Sequence, residues 1–106
     1  MPKYLLKVAY TADGAKGLIK DGGSKRREAA QALVRSVGGS MEAFYYAFGA
    51  SDVYAIVDVP DAASAAAASI ALSASGSVTS ELIVLLTPEE IDAAAKKSPS
   101  YTPPGR

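Results

Sequence analysis

The sequence predicts a single α+β domain in which four strands alternate with helices. With 106 residues, of which 49% are hydrophobic, the chain is long enough to form one core. Segments rich in β-branched and aromatic residues alternate with segments whose apolar residues recur at helical spacing. Glycines and capping residues separate the two kinds of segment. These boundaries set the order of elements along the chain.

The first half of the chain predicts one strand, two helices and a hairpin. Residues 4–10 (YLLKVAY) form the first strand. Two glycines interrupt the helical pattern that follows, which gives a short helix at 12–20 and a longer one at 24–37. Residues 41–48 and 53–59 are two strands joined by a four-residue link, so they pair antiparallel as a hairpin.

The second half predicts a helix, a strand and a terminal helix. Residues 62–74 are rich in alanine, and Asp61 before them and Gly76 after them indicate a capped helix rather than a low-complexity linker. Residues 78–86 form the fourth strand. The sequence Thr-Pro-Glu-Glu at 87–90 is a capping box that begins the terminal helix.

This order, β-α-β-β-α-β with an extra helix, is that of the ferredoxin-like fold. We expect one domain at 1–97 and an extended, proline-containing arm at 98–106. Both crossover helices lie on one face of such a sheet and leave the other uncovered. The alternation of residues places large apolar side chains on the uncovered face, which favours a homodimer with Phe44, Phe48 and Ile56 in its interface.

Three segments resemble a known family. They are Gly49–Asp52, the segment VYAIVDVPD at 53–61, and the segment GGSKRREAA at 22–30, where the longer helix begins. On these segments, and from PKYLLKVAYT to LLTPEEIDAAAKKS, the chain resembles the bacterial GYD-domain family. The family motif is Gly-x-Tyr-Asp, which Gly49 and Asp52 match, while Ser51 replaces the tyrosine.

The resemblance implies a dimeric α/β barrel, in which two ferredoxin-like sheets meet face to face. It also implies a family whose function is largely uncharacterised. From their residue types, Gly49 is expected to supply a turn conformation and Asp52 to cap the loop through its backbone. Both roles are structural.

The composition narrows the chemistry that the chain can perform. There is no His and no Cys, so the usual general base, thiolate nucleophiles and the commonest metal ligands are missing, and we expect no metal and no cofactor. The net charge is zero, which does not favour nucleic acid or an anionic membrane as a partner. With no signal-peptide pattern and no long apolar run, the sequence predicts a cytoplasmic protein.

Charged and phenolic residues on the uncovered face are candidates for a ligand pocket. Lys7 and Asp58 are expected on neighbouring central strands, where they meet or face one cavity. The whole set has two interpretations: a proton-handling group inside a barrel, or ion pairs of a dimer interface. Its members are Lys7, Glu42, Tyr46, Tyr54, Asp58 and Glu81.

A second candidate site lies at the start of the longer helix. Ser24, Lys25, Arg26 and Arg27 place cations where the helix dipole disfavours them, and a bound phosphate or carboxylate would relieve that conflict. The alternative is a solvated basic turn paired with nearby acidic residues.

Two classes of function remain open. The first is a non-catalytic module that binds a small ligand or assembles with itself. The second is a cofactor-free enzyme, monooxygenase-like or isomerase-like, that acts on an aromatic or quinone-like molecule, as the barrel resemblance suggests. Whether the chain is an enzyme stays open, although the lack of His and Cys favours the first class.

Overall fold

A computed structural model describes residues 2–106 and contains four strands and four helices within them. The elements are β1 (Lys3–Tyr10), α1 (Ala12–Asp21), α2 (Gly23–Ser36), β2 (Ser40–Tyr46), β3 (Val53–Asp58), α3 (Ala62–Ala74), β4 (Val78–Leu85) and α4 (Pro88–Lys96). Each element predicted from the sequence is present, with small shifts at its ends. No helix among the described residues is both long enough and apolar enough to cross a membrane.

The four strands form one antiparallel sheet in the order β2-β3-β1-β4. This order is compatible with the ferredoxin-like arrangement. Helix α2 packs next to β2, and α3 packs against β4. The two long helices therefore lie over opposite halves of the sheet.

Alternate residues of the central strands form the core beneath the helices. Leu6 and Val8 of β1 are buried, as are Val53, Ala55 and Val57 of β3. Because side chains along a strand alternate between faces, the intervening residues lie on the opposite, uncovered face. The predicted division of residues between the two faces is confirmed for β1 and β3.

A register irregularity in β2 reverses the faces predicted for that strand. Met41 pairs with Val57, but Ala43 pairs with Ile56, so Glu42 is one residue too many for regular pairing. An extra residue on one strand exchanges the faces of all residues beyond it.

The residues beyond this bulge consequently lie opposite to their predicted faces. Phe44 and Tyr46 pair with two core residues of β3 and face the helices, so the prediction that they lie on the uncovered face is wrong. Tyr45 lies between them in the sequence, pairs with Tyr54 on the uncovered face and is 72% exposed.

Phe48 also falls outside the predicted interface. It lies past the end of β2, is fully exposed, and borders a groove formed with Leu18 of α1 and Tyr10 on the helix side. Of the three predicted interface residues, Ile56 alone lies on the uncovered face.

Two glycines fit the first helical region onto the sheet. Gly22 adopts φ +84° between α1 and α2, a left-handed conformation that separates the helices without a long loop. Gly14 packs so closely on the start of β4 that a Cβ there would lie 1.9 Å from the Ser77 carbonyl oxygen. The N-terminus of α1 is thus held directly against the sheet.

Threonines cap both α1 and α4, but the two helices differ in their surroundings. Thr11 Oγ1 accepts from Gly14 N at 3.2 Å and lies 3.0 Å from the carbonyl oxygens of Gly76 and Ser77, which links α1 to the turn before β4. Thr87 and Glu90 form the predicted capping box of α4. Every residue of α4 is exposed.

The molecule is more extended than a compact domain of its length. Its radius of gyration is 16.9 Å, against about 13 Å for a compact domain of this length. The described residues after β4 are exposed apart from Pro103, which is half-buried.

The two caps should therefore differ in their effect on global stability. We expect Thr11→Ala to lower the free energy of unfolding by about 1 kcal/mol, because it removes a cap and the link to β4. Thr87→Ala should reduce helix content in circular dichroism and leave the urea midpoint nearly unchanged, because every residue of α4 is exposed. Equal shifts of the two midpoints would contradict this account.

Candidate functional site

The uncovered face of the sheet is organised in rows that run across all four strands. The middle row is apolar. It consists of Ala43 of β2, Ile56 of β3, Leu5 of β1 and Ile83 of β4, which are consecutive partners in the strand pairing. Ile83 is 37% exposed and the other three are half-buried, so an apolar strip is open across the full width of the sheet.

A polar row on one side of this strip is centred on Lys3. The Lys3 Nζ donates to Glu42 Oε2 at 2.6 Å and to Asp58 Oδ1 at 3.0 Å. The bulge in β2 brings Glu42 within reach of Lys3. The hydrogen bond to Glu42, followed by that to Asp58, raises the pKa of Lys3 above its ordinary value.

A second polar row lies on the other side of the strip. Lys7 pairs in register with Tyr54 on one side and with Glu81 on the other. Its Nζ is 3.8 Å from Glu81 Oε2 and 5.9 Å from the centre of the Tyr54 ring, within the range of a cation–π contact. Tyr45 extends the row onto β2.

The predicted contact between Lys7 and Asp58 is wrong, because the register places them in different rows. Asp58 pairs with Lys3, and Lys7 lies four residues farther along β1, which is about 13 Å in an extended strand. Sequence reasoning missed Lys3 because the first strand was predicted to begin at Tyr4. The alternation of Lys3, Leu5 and Lys7 is the signal that places all three on one face.

Tyr46 belongs to the helix side of the sheet and not to these polar rows. Its hydroxyl donates to the carbonyl oxygen of Gly23 at 2.8 Å, and its ring meets that of Phe44 edge to face, with centroids 5.2 Å apart. Burial raises the pKa of Tyr46, and the nearby Tyr10 phenol adds to the effect. Tyr46 therefore anchors the first residue of α2 to β2.

The basic start of α2 is only partly ordered by other side chains. Ser24, Lys25 and Arg27 are exposed, whereas the Arg26 side chain is 39% exposed. Its Nη1 lies 3.7 Å from Asp21 Oδ2, close enough for an ion pair but beyond hydrogen-bonding distance. The first turn of α2 contains no acidic residue and has no side-chain cap. Binding of an anion at these residues stays a prediction.

Asp52 joins three parts of the fold. Its carboxylate Oδ2 accepts from Tyr10 N at 2.8 Å, its backbone N–H donates to Val8 O at 2.7 Å, and its carbonyl oxygen accepts from Ala47 N at 2.9 Å. It thereby extends the pairing of β3 with both β1 and β2 by one residue ahead of Val53.

The other motif positions have simpler surroundings. Gly49 has no positive φ, and no atom lies within 4 Å of the position of a Cβ. The conformation of this turn therefore does not require glycine, contrary to the role predicted for Gly49. Ser51, in the place of the motif tyrosine, is buried.

The network on Lys3 predicts a pH dependence at the alkaline side. Because the pKa of Lys3 is raised above its ordinary 10.5 in the folded protein, its ion pairs stabilise the fold fully below that pH and less as pH rises through the folded pKa. We expect Lys3→Gln to unfold at lower temperature than the wild type at pH 8, with a smaller difference near pH 12. Lys20→Gln, at an exposed position on α1, is the control. A difference that is constant with pH would contradict the assignment.

The contacts of Asp52 predict a structural role. Asp52→Ala removes a charged acceptor from the half-buried Tyr10 N–H, and we expect the free energy of unfolding to fall by about 2 kcal/mol. Asp52→Asn retains an acceptor oxygen and should lose less. Urea denaturation measures both, and equal losses would indicate that the charge, not the hydrogen bond, is what matters.

Comparison with known proteins identifies a family. The family model described as GYD domain matches residues 4–95. No curated protein and no solved structure gives a significant match. The matched region begins at the second residue of β1 and ends within α4, so it contains the apolar strip, the polar row around Lys7 and the basic start of α2, whereas Lys3 lies one residue before it. The chain therefore belongs to the GYD domain family.

Proposed function

We propose that the protein is a non-catalytic module that assembles as a homodimer through the uncovered face of its sheet. The unit that assembles is the single domain of residues 1–97, with 98–106 as its arm. The observation that carries the proposal is the apolar strip across all four strands, which no element among the described residues covers. Such a strip is most simply buried by the same strip of a second copy.

The charges on either side of the strip are compatible with burial in a dimer. Each polar row contains a lysine that is already paired within its own chain, Lys3 with Glu42 and Asp58, and Lys7 with Glu81. Isolated charges make burial costly, whereas paired ones reduce that cost. Cations and carboxylates in both rows also allow attraction between two copies.

The same pairing favours a binding or assembly role over catalysis on this face. A carboxylate acts as a general base most effectively when it is desolvated and free of cations. Asp58 and Glu81 each lie beside a lysine ammonium instead. Of the two interpretations of these residues, the interface ion pairs are the one that we propose.

Light scattering coupled to size exclusion tests the assembly. At micromolar concentration we expect the wild type to have twice the mass of the 10.8 kDa chain. Ile83→Glu places a charge in the apolar strip and should yield monomer. Ile70→Glu is the matched control, because Ile70 is 68% exposed on α3, on the other side of the sheet, and this variant should remain dimeric.

A second variant tests the same interface if Ile83→Glu fails to fold. Tyr45 is already 72% exposed, so Tyr45→Glu should fold normally, as seen by circular dichroism, while weakening the dimer. A monomeric wild type, or a Tyr45→Glu dimer as tight as the wild type together with a dimeric Ile83→Glu, would overturn the proposal.

A further inference from the structure

The helix-covered face of the sheet contains a cleft that is separate from the uncovered face. Because α2 lies beside β2 and α3 beside β4, the central strands β1 and β3 are left between them. A cavity of about 150 Å³ lies in this gap. Its floor is formed by Leu6, Val8, Val53 and Val57, and its end by Phe44.

The size of the cavity follows from the composition of its helical walls. Helix α2 contributes Ala29 and Ala30 to the wall beside Leu33 and Val34, and α3 contributes Ala65 and Ala68 beside Leu72. Methyl groups cannot reach across the space between two helices that are spread over opposite halves of a sheet. The alanine-rich sequence of α3 therefore leaves the space that larger side chains would fill.

The lining of the cavity determines what can occupy it. Water needs several polar partners, which an apolar wall does not provide, and dry apolar cavities of about this volume accept molecules the size of benzene. Two neutral polar residues, Tyr10 and Ser69, also line the cavity, and the Ser69 hydroxyl is hydrogen-bonded to that of Ser80 at 3.1 Å. A compact apolar group fits such an environment.

Among residues 2–106, Arg26 is the one charged residue that lines the cavity. It lies in the first turn of α2, where the dipole of the helix disfavours a cation. Its guanidinium is half-exposed and 3.7 Å from Asp21, so donors remain for another acceptor. Arginine pairs with carboxylates through two parallel hydrogen bonds.

We propose that the cleft between α2 and α3 binds a small monocarboxylic acid, with its apolar body among the alanines and its carboxylate on Arg26. The apolar body is of benzene size or a short alkyl chain. This binding site is on the opposite side of the sheet from the proposed dimer face, and it does not depend on assembly.

Titration with matched acids and alcohols tests the proposal. Hexanoate and benzoate are the acidic probes, and 1-hexanol and benzyl alcohol are neutral molecules of similar size. In ¹H–¹⁵N spectra of the full chain, we expect both acids to shift the amide signals of α2 and α3. The alcohols should bind at the same place, and about tenfold or more weakly, because they lack the charged hydrogen bonds to arginine.

Two arginines of α2 provide the matched pair of variants. Arg26→Gln should weaken the acids about tenfold or more and leave the alcohols unchanged. Arg35→Gln, whose side chain is exposed and does not line the cavity, should bind both kinds of probe as the wild type does. If both variants weaken binding of the acids equally, the effect comes from the general surface charge, and the role of Arg26 is overturned.

Filling the cavity tests the site itself. Ala68→Leu should raise the melting temperature and abolish binding of acids and alcohols alike, with Ala68→Val as the smaller substitution if leucine prevents folding. Wild-type binding that persists in a folded filling variant would place the ligand elsewhere. Absence of binding by every probe to the wild type would overturn the proposal, whatever the mass of the assembled protein.

Discussion

The antiparallel pairing of β1 with both of its neighbours determines where the other side chains of the sheet lie. β1 is matched to β3 over six residues and to β4 over eight. A slip of one residue would exchange the faces of the whole strand. With the observed register, Leu6 and Val8 enter the core, whereas Leu5 and Lys7 join the uncovered face. Both the proposed dimer interface and the floor of the cleft depend on this division.

The sequence was sufficient to predict the strands and faces where alternation is uninterrupted. It failed in β2, where Glu42 adds one residue to the pairing with β3. The period of a strand is local and can be seen in its residues, but a bulge is a property of two strands together. Phe44 and Tyr46 were therefore placed on the wrong face although the strand itself was predicted correctly.

The partners of charged residues could not be predicted for a related reason. Alternation correctly assigned Lys7, Asp58 and Glu81 to one face, yet their pairing depends on the register between strands. Lys3, which joins Glu42 and Asp58, was missed because it stands at the edge of its strand, where boundaries are least certain.

The cleft between α2 and α3 could not be predicted from the sequence either. The alanines of residues 62–74 and the caps around them indicate a helix, but no pattern in the sequence indicates how far apart two helices lie. Cavity volume is the small difference between the space that a backbone encloses and the volume of its side chains. Arg26 was a candidate for anion binding on its charge alone, and its place at the edge of an apolar cavity is what the structure adds.

The two proposed surfaces lie back to back on one sheet, which determines how they can influence each other. Among residues 2–106, no side chain that lines the cavity also belongs to the apolar strip or to its polar rows. Neighbouring residues of β1, such as Leu5 and Leu6, belong to opposite faces. Two sites influence each other only if a ligand at one distinguishes between two states of the other. A ligand that fills an existing cavity without moving β1 or β3 stabilises the monomer and the dimer equally. Coupling between binding and assembly would therefore require a shift of the central strands themselves, since the side chains provide no shared contact.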